Sequence, residues 1–123
     1  MCLSIVDKTY DPPLAEEREA WGTFRDDCGR LLTGDQMFKV EPGEWVQSQR
    51  GTLGGLGVSS PYKAGFHKFR SEEAAQKYAV VGERVFRVRL RGIVAEGKQS
   101  VRGSLEPVIV AKEMYVYPEE QVT

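Results

Sequence analysis

Between Phe86 and Arg91 the chain alternates without a break. Phe86, Val88 and Leu90 are apolar, and Arg87, Arg89 and Arg91 fall between them. On an extended strand successive side chains leave to opposite faces, whereas on a helix these six residues would spread around the axis. The segment therefore reads as a β-strand with one face turned to a core and the other turned away from it. A slip of one residue in its pairing would bury three guanidinium groups, so the same pattern also sets the register. A chain holding such a strand must build a sheet around it.

Other segments supply that sheet. Val108–Tyr117 carries apolar residues at both parities, the pattern of a central strand covered on both faces. Shorter strands are expected at residues 1–6, 23–25, 37–40 and 45–46 and over Tyr62–Phe69. Asp26–Gly29 and Glu41–Glu44 read as turns, the second with Pro42 preset at its second position. Gly92 is expected to mark a bulge or bend before Ile93 and Val94. Residues 97–106 read as a polar connection, and Pro118 as the end of the structured chain.

Two short helices are expected. The first opens at Asp11-Pro12-Pro13, where Asp suits the N-cap and Pro the first helical position, and runs from Leu14 to Trp21 before Gly22. The second starts at Ser71-Glu72-Glu73 and packs Ala74, Ala75, Tyr78 and Ala79. Residues 49–61 contain four glycines and read as a long loop. The fold class is thus α+β, a mostly antiparallel β-sheet with two short helices, in a single domain over residues 1–123.

A net charge of −1 gives no chain-wide attraction to nucleic acid or anionic membrane, so neither is expected as a partner. No apolar run is long enough to cross a bilayer, and no secretory leader is legible, which points to the cytoplasm. Cys2 and Cys28, the two cysteines, are then expected as free thiols. With a single histidine and no paired ligand spacing, neither zinc nor another cofactor is expected. Cys2 as an N-terminal nucleophile would need Met1 removed, and the chain is far too short for the amidotransferase domains that work that way.

Gly65-Phe66-His67-Lys68-Phe69 followed by Ser71-Glu72-Glu73-Ala74, together with the opening Met1-Cys2-Leu3, resembles small uncharacterised proteins of phages and other mobile elements. The resemblance covers residues 1–3 and about 60–117, and implies a Gly-x-His-x-Phe strand, a short helix and a final strand pair. The layout is also similar, more distantly, to ADP-ribosyltransferase-like domains, through Leu31–Asp35 and Val85–Val88. That similarity would imply NAD in a cleft, but the His-Gly-Thr opening and the Arg, Ser-Thr-Ser and Glu set of those enzymes are missing.

The residues themselves offer three candidate sites. Arg87, Arg89 and Arg91, with Arg84 as an extension, would project from one face about 6.5–7 Å apart, a spacing suited to phosphate or carboxylate. Glu96, Glu106 and Glu113 could instead neutralise them. His67 could act as a base or ligand contact, or be a hydrogen-bonded core residue. The glycine-rich loop, with Arg50 and Lys63 at its ends, could close over a ligand. Together these suggest a non-catalytic binding protein for an anionic ligand, either a nucleotide-like molecule or an acidic protein surface. The alternatives are an NAD-using enzyme and a structural homo-oligomer.

Overall fold

The structure, a computed structural model, describes residues 3–27, 30–33, 39–48, 52–53, 62–63 and 65–121. Among them the elements run β1 (Ile5–Leu14), β2 (Arg18–Asp27), β3 (Arg30–Thr33), β4 (Lys39–Val40), β5 (Trp45–Gln47), β6 (Thr52–Leu53), β7 (Tyr62–Lys63), β8 (Phe66–Phe69), α1 (Glu72–Tyr78), β9 (Glu83–Val101) and β10 (Ser104–Gln121).

The alternation at 86–91 lies inside β9, which turns straight into β10. Arg102 and Gly103 make the turn, both at positive φ (46° and 87°), the geometry of a two-residue hairpin whose twist matches its strands. Along its other edge β9 is paired by β2 over 83–90 and by β1 over 93–98. The other edge of β10 takes β8 at 108–111 and β5 at 113–115. β2 also meets β8 through Trp21 and Phe69, so β9, β10, β8 and β2 close a hydrogen-bonded ring. β3 and β4 continue from β2 as a meander, and β6 pairs with β7 apart from the main sheet.

The ring holds two cores, one on each face. Ala20, Phe24, Phe86, Val88, Leu90, Ile109 and Met114 fill the inner one. Phe24 and Phe86 meet there edge to face at 5.7 Å. The outer core packs Phe69, Val85, Val108 and Val110 beneath Ala74 and Ala75 of α1. Ser71 caps that helix, accepting from the Ala74 amide at 3.2 Å, with Glu72 and Glu73 in its first turn.

Inward positions on β9 run 86, 88, 90 and then 93; on β10 they run 109, 111 and then 114 and 116. Both strands thus step three residues at Gly92 and Lys112 and bend together. Gly92 sits at φ +68°, where an L side chain is strained, and Val94 beyond it is an unpaired extra residue in the ladder.

Three expectations need correction. The first helix does not form: residues 14–21 are the end of β1, a connection and the start of β2. Extended, the segment pairs from Arg18↔Leu90 to Arg25↔Glu83 and buries Ala20 and Phe24 completely. A two-turn helix could not match that burial, and short helices have little stability of their own. Among the described residues the sheet therefore carries one helix, of seven residues. Residues 97–106 are not a loose connection either, because their backbones pair across the hairpin down to Ser104↔Val101 although their side chains are polar. Pro118 interrupts β10 rather than ending it: the register shifts between Val116↔Val88 and Gln121↔Phe86. Most of the loop at 49–61 lies outside the described residues, as do Cys2, Cys28 and Arg50.

Candidate functional site

Seven residues of helix cover only one end of the outer sheet face. Val85 lies under that cover; the next β9 residues of the same parity are Arg87, Arg89 and Arg91, beyond it. Strand register builds a surface around them. On β10, Glu113 is opposite Arg91 and Tyr115 is opposite Arg89, with Tyr117 the next residue of that parity. On β5, Gln47 is opposite Glu113 and Trp45 opposite Tyr115. On the far side of β9, Glu19 of β2 is opposite Arg89.

Each arginine is held by at least two contacts. The Arg87 guanidinium lies over the Tyr117 ring at 4.6 Å and 3.4 Å from Glu19. Arg89 lies 6.0 Å from the same ring and 3.4 Å from Glu17. Arg91 stacks on Trp45 at 3.9 Å and donates from Nε to Glu113. Tyr115 touches Trp45 (5.7 Å between ring centres) and Tyr117 (5.4 Å). Guanidinium groups over ring faces are attracted by the ring quadrupole and kept in a fixed plane. The Arg89–Glu17 pair is solvent-exposed and the Arg87–Glu19 pair partly so, each worth about 0–1 kcal/mol, so a stronger anion could displace the carboxylates.

Two depressions lie along this surface. One, of about 300 Å³, is lined by Glu17, Trp45, Arg89, Tyr115 and Tyr117. The other, of about 480 Å³, lies at the common bend of β9 and β10, with Arg91, Gly92, Lys112 and Glu113 as its floor. Pro13, Leu14 and Ala15 form one of its walls, and Gln47 and Ser48 the other.

The expected stripe of Arg87, Arg89 and Arg91 therefore forms as one surface. Arg84 has the parity of Phe86 and falls on the opposite side, so it does not extend the stripe. Of the three carboxylates expected to neutralise it, only Glu113 does so. Glu106 binds Lys77 at 2.9 Å, and the hydrogen bonds from Lys77 and Ser104 hold its carboxyl below the ordinary value. His67 is not part of this surface. It is buried on β8 with Nδ1 3.0 Å from the Gly65 carbonyl oxygen, which can only accept, so Nδ1 carries the proton. Lys68, its neighbour, is also buried, with its ammonium 4.7 Å from the Phe24 ring; a Cβ at Gly22 would collide with its side chain. Trp45, Tyr115, Tyr117 and Lys112 were not legible as site residues. Tyr115-x-Tyr117 repeats the alternation of the arginines, and the Arg102-Gly103 turn would have aligned the two patterns.

A second charged cluster lies past the bend. Glu96 accepts from the Tyr10 hydroxyl and from Arg18 at 2.6 Å, with Arg70 at 3.8 Å, while Arg18 also reaches Glu16 at 3.5 Å. Burial alone would raise the Glu96 carboxyl; the Tyr10 and Arg18 hydrogen bonds and the nearby Arg18 and Arg70 charges outweigh it and hold the group below its ordinary value. The Tyr10 hydroxyl is raised, first by its bond to Glu96. No depression opens beside this cluster among those lined by the residues above.

Among the described residues no group of three His, Cys, Asp or Glu side chains is placed to hold a metal ion. Nor, among them, is any helix long and apolar enough to cross a membrane. No family model, no curated protein and no solved structure matches the chain.

Proposed function

We propose that this chain is a non-catalytic binding protein that engages an acidic protein surface through the Arg87, Arg89 and Arg91 face. The observation that carries this reading is the stacking of those arginines on Trp45 and Tyr117 around an open depression. Arg, Tyr and Trp are the side chains that dominate protein interfaces, because they bury large area at low entropic cost and keep a polar end for pairing. The interleaved Glu17, Glu19 and Glu113 leave the face nearly neutral, which favours a protein over nucleic acid, whose binding needs a strong positive excess. The NAD reading has no comparable support: Gly34 and Asp35 lie outside the described residues, and His67 is buried against a backbone carbonyl. A homo-oligomer through strand edges is not favoured, since the free edge of β1 carries Asp7, Lys8, Asp11 and two prolines, residues that discourage strand addition. The mobile-element setting rests on the sequence resemblance alone.

The test is fluorescence anisotropy with a labelled oligo-glutamate peptide containing one tyrosine, at low and high salt. Binding is expected to weaken with salt, and to fall by about tenfold to a hundredfold in the Arg87→Gln/Arg89→Gln double variant. No binding of the peptide, equal binding by a folded double variant, or tighter binding of ATP or single-stranded DNA would each overturn it.

A further inference from the structure

The larger depression has a chemistry of its own, beyond the partner face. Its floor is the shared bend of β9 and β10, and Gly92 keeps it open: the backbone there is at φ +68°, and a Cβ would stand 3.4 Å from the Lys112 Cβ. Two cations and one carboxylate meet on this floor. Arg91 gives its Nε–H to Glu113 and is pressed on the Trp45 ring, so its guanidinium plane is fixed from two directions. Lys112 forms no ion pair among the described residues. Arg91 and Lys112 against Glu113 leave one positive charge. One wall, Pro13, Leu14 and Ala15, offers hydrocarbon, and the space of about 480 Å³ is within the range of small-molecule sites.

We propose that this cavity binds a small monocarboxylate with an apolar body. The carboxylate takes the outer amino groups of Arg91 and the Lys112 ammonium, since a planar fork and a planar carboxylate match in two parallel bonds. The apolar body lies against Pro13 and Leu14. A single negative charge balances the floor, whereas a phosphate dianion would leave an excess beside Glu113. Gln47 is held to Glu113 at 3.2 Å, and the Ser48 amide to the Lys112 carbonyl at 2.8 Å, so the opposite wall is fixed to the same floor.

The pocket shares Arg91 and Glu113 with the acidic-partner face, and variants at Arg87, Arg89 and Lys112 separate the two. Hexanoate, hexanamide and hexyl phosphate are titrated into labelled protein and followed by amide NMR and calorimetry. Hexanoate is expected to shift the Ala15, Ser48 and Gly92 amides saturably and to bind at least about tenfold more tightly than hexanamide. Lys112→Met should weaken it by about tenfold, and Arg91→Lys, which keeps the charge but loses the fork, by a similar factor. Arg87→Gln/Arg89→Gln should leave hexanoate binding unchanged while weakening peptide binding by about tenfold to a hundredfold. The proposal falls if hexanoate shows no saturable shift or hexanamide binds equally. It falls equally if hexyl phosphate binds more tightly, or if Lys112→Met, with its thermal transition intact, binds like the parent. A peptide ending in a free carboxylate that outcompetes hexanoate would also overturn it, by assigning the pocket to a chain terminus.

Discussion

Two groups of arginines and glutamates hang from β9, one on each side of Gly92, and they are built for different ends. On the 93–101 side, Glu96 is only 16% exposed and receives hydrogen bonds from Tyr10 and Arg18, with Arg70 close by. It ties β1, β2 and β9 to the residue that follows β8. On the 83–91 side, Arg87 and Arg89 meet the exposed Glu19 and Glu17 at 3.4 Å and lie by the Tyr117 ring. The residue types are the same; shielding and the number of hydrogen bonds differ. A carboxylate with several donors in a shielded place is part of the framework, because removing it leaves those donors without their acceptor. A single exposed pair costs little to open and remains available to a partner.

The largest effect expected from this contrast is at Glu96. Glu96→Ala should lower unfolding stability by about 2–3 kcal/mol in urea titrations, since Arg18 and Tyr10 lose their acceptor. A loss under about 0.5 kcal/mol would erase the distinction between the two groups. The pH dependence sharpens it. The Glu96 carboxyl is held low in the fold, so as pH falls the unfolded chain takes up its proton first. The stability from Glu96 is therefore full above the ordinary carboxylate range and is lost as pH drops below it. Glu96→Gln should flatten that acid slope in melts recorded over a pH series.

Gly92→Ala tests the boundary itself. At φ +68° the added Cβ should cost about 1–2 kcal/mol, read as a lower midpoint in urea. A neutral result would mean that the bend does not need glycine. The smallest effects belong to Glu17→Gln and Glu19→Gln. Each should change stability by no more than about 0.5 kcal/mol, while raising affinity for the oligo-glutamate peptide by freeing the Arg89 and Arg87 forks. A large destabilisation would place these pairs with the framework after all.

Much of the sheet was legible, for a physical reason. Residues 86–91 advertise their strand because one face is buried and the other is not, and Ser71-Glu72-Glu73 advertises a helix because the cap is local. The failures share a cause as well. Leu14–Trp21 has helical propensity, but its conformation is decided by β9, some seventy residues away. Residues 97–106 look like a loop by polarity, yet their backbone bonds are satisfied by a neighbour strand regardless of side chain. The site followed the same division. The arginine stripe was visible in one strand; Trp45, Tyr115, Tyr117 and Glu19 joined it through register across four strands, and Glu17 from the connection before β2, which no local pattern encodes.

The position of the β9–β10 hairpin in the chain also has a consequence for synthesis. β1, β2 and β8 draw their main pairing from the two long strands that follow them. As the chain leaves the ribosome, those earlier segments lack their main ladder, and their apolar residues, Phe24 and Phe66 among them, wait in water. The hairpin can zip locally from Arg102-Gly103, but the ring closes only through contacts of long sequence separation, which makes assembly slow and the waiting segments aggregation-prone. Release of the nascent chain before β10 has emerged would leave the ring unclosed. Production of this protein should therefore depend on chaperone capacity more steeply than its size suggests.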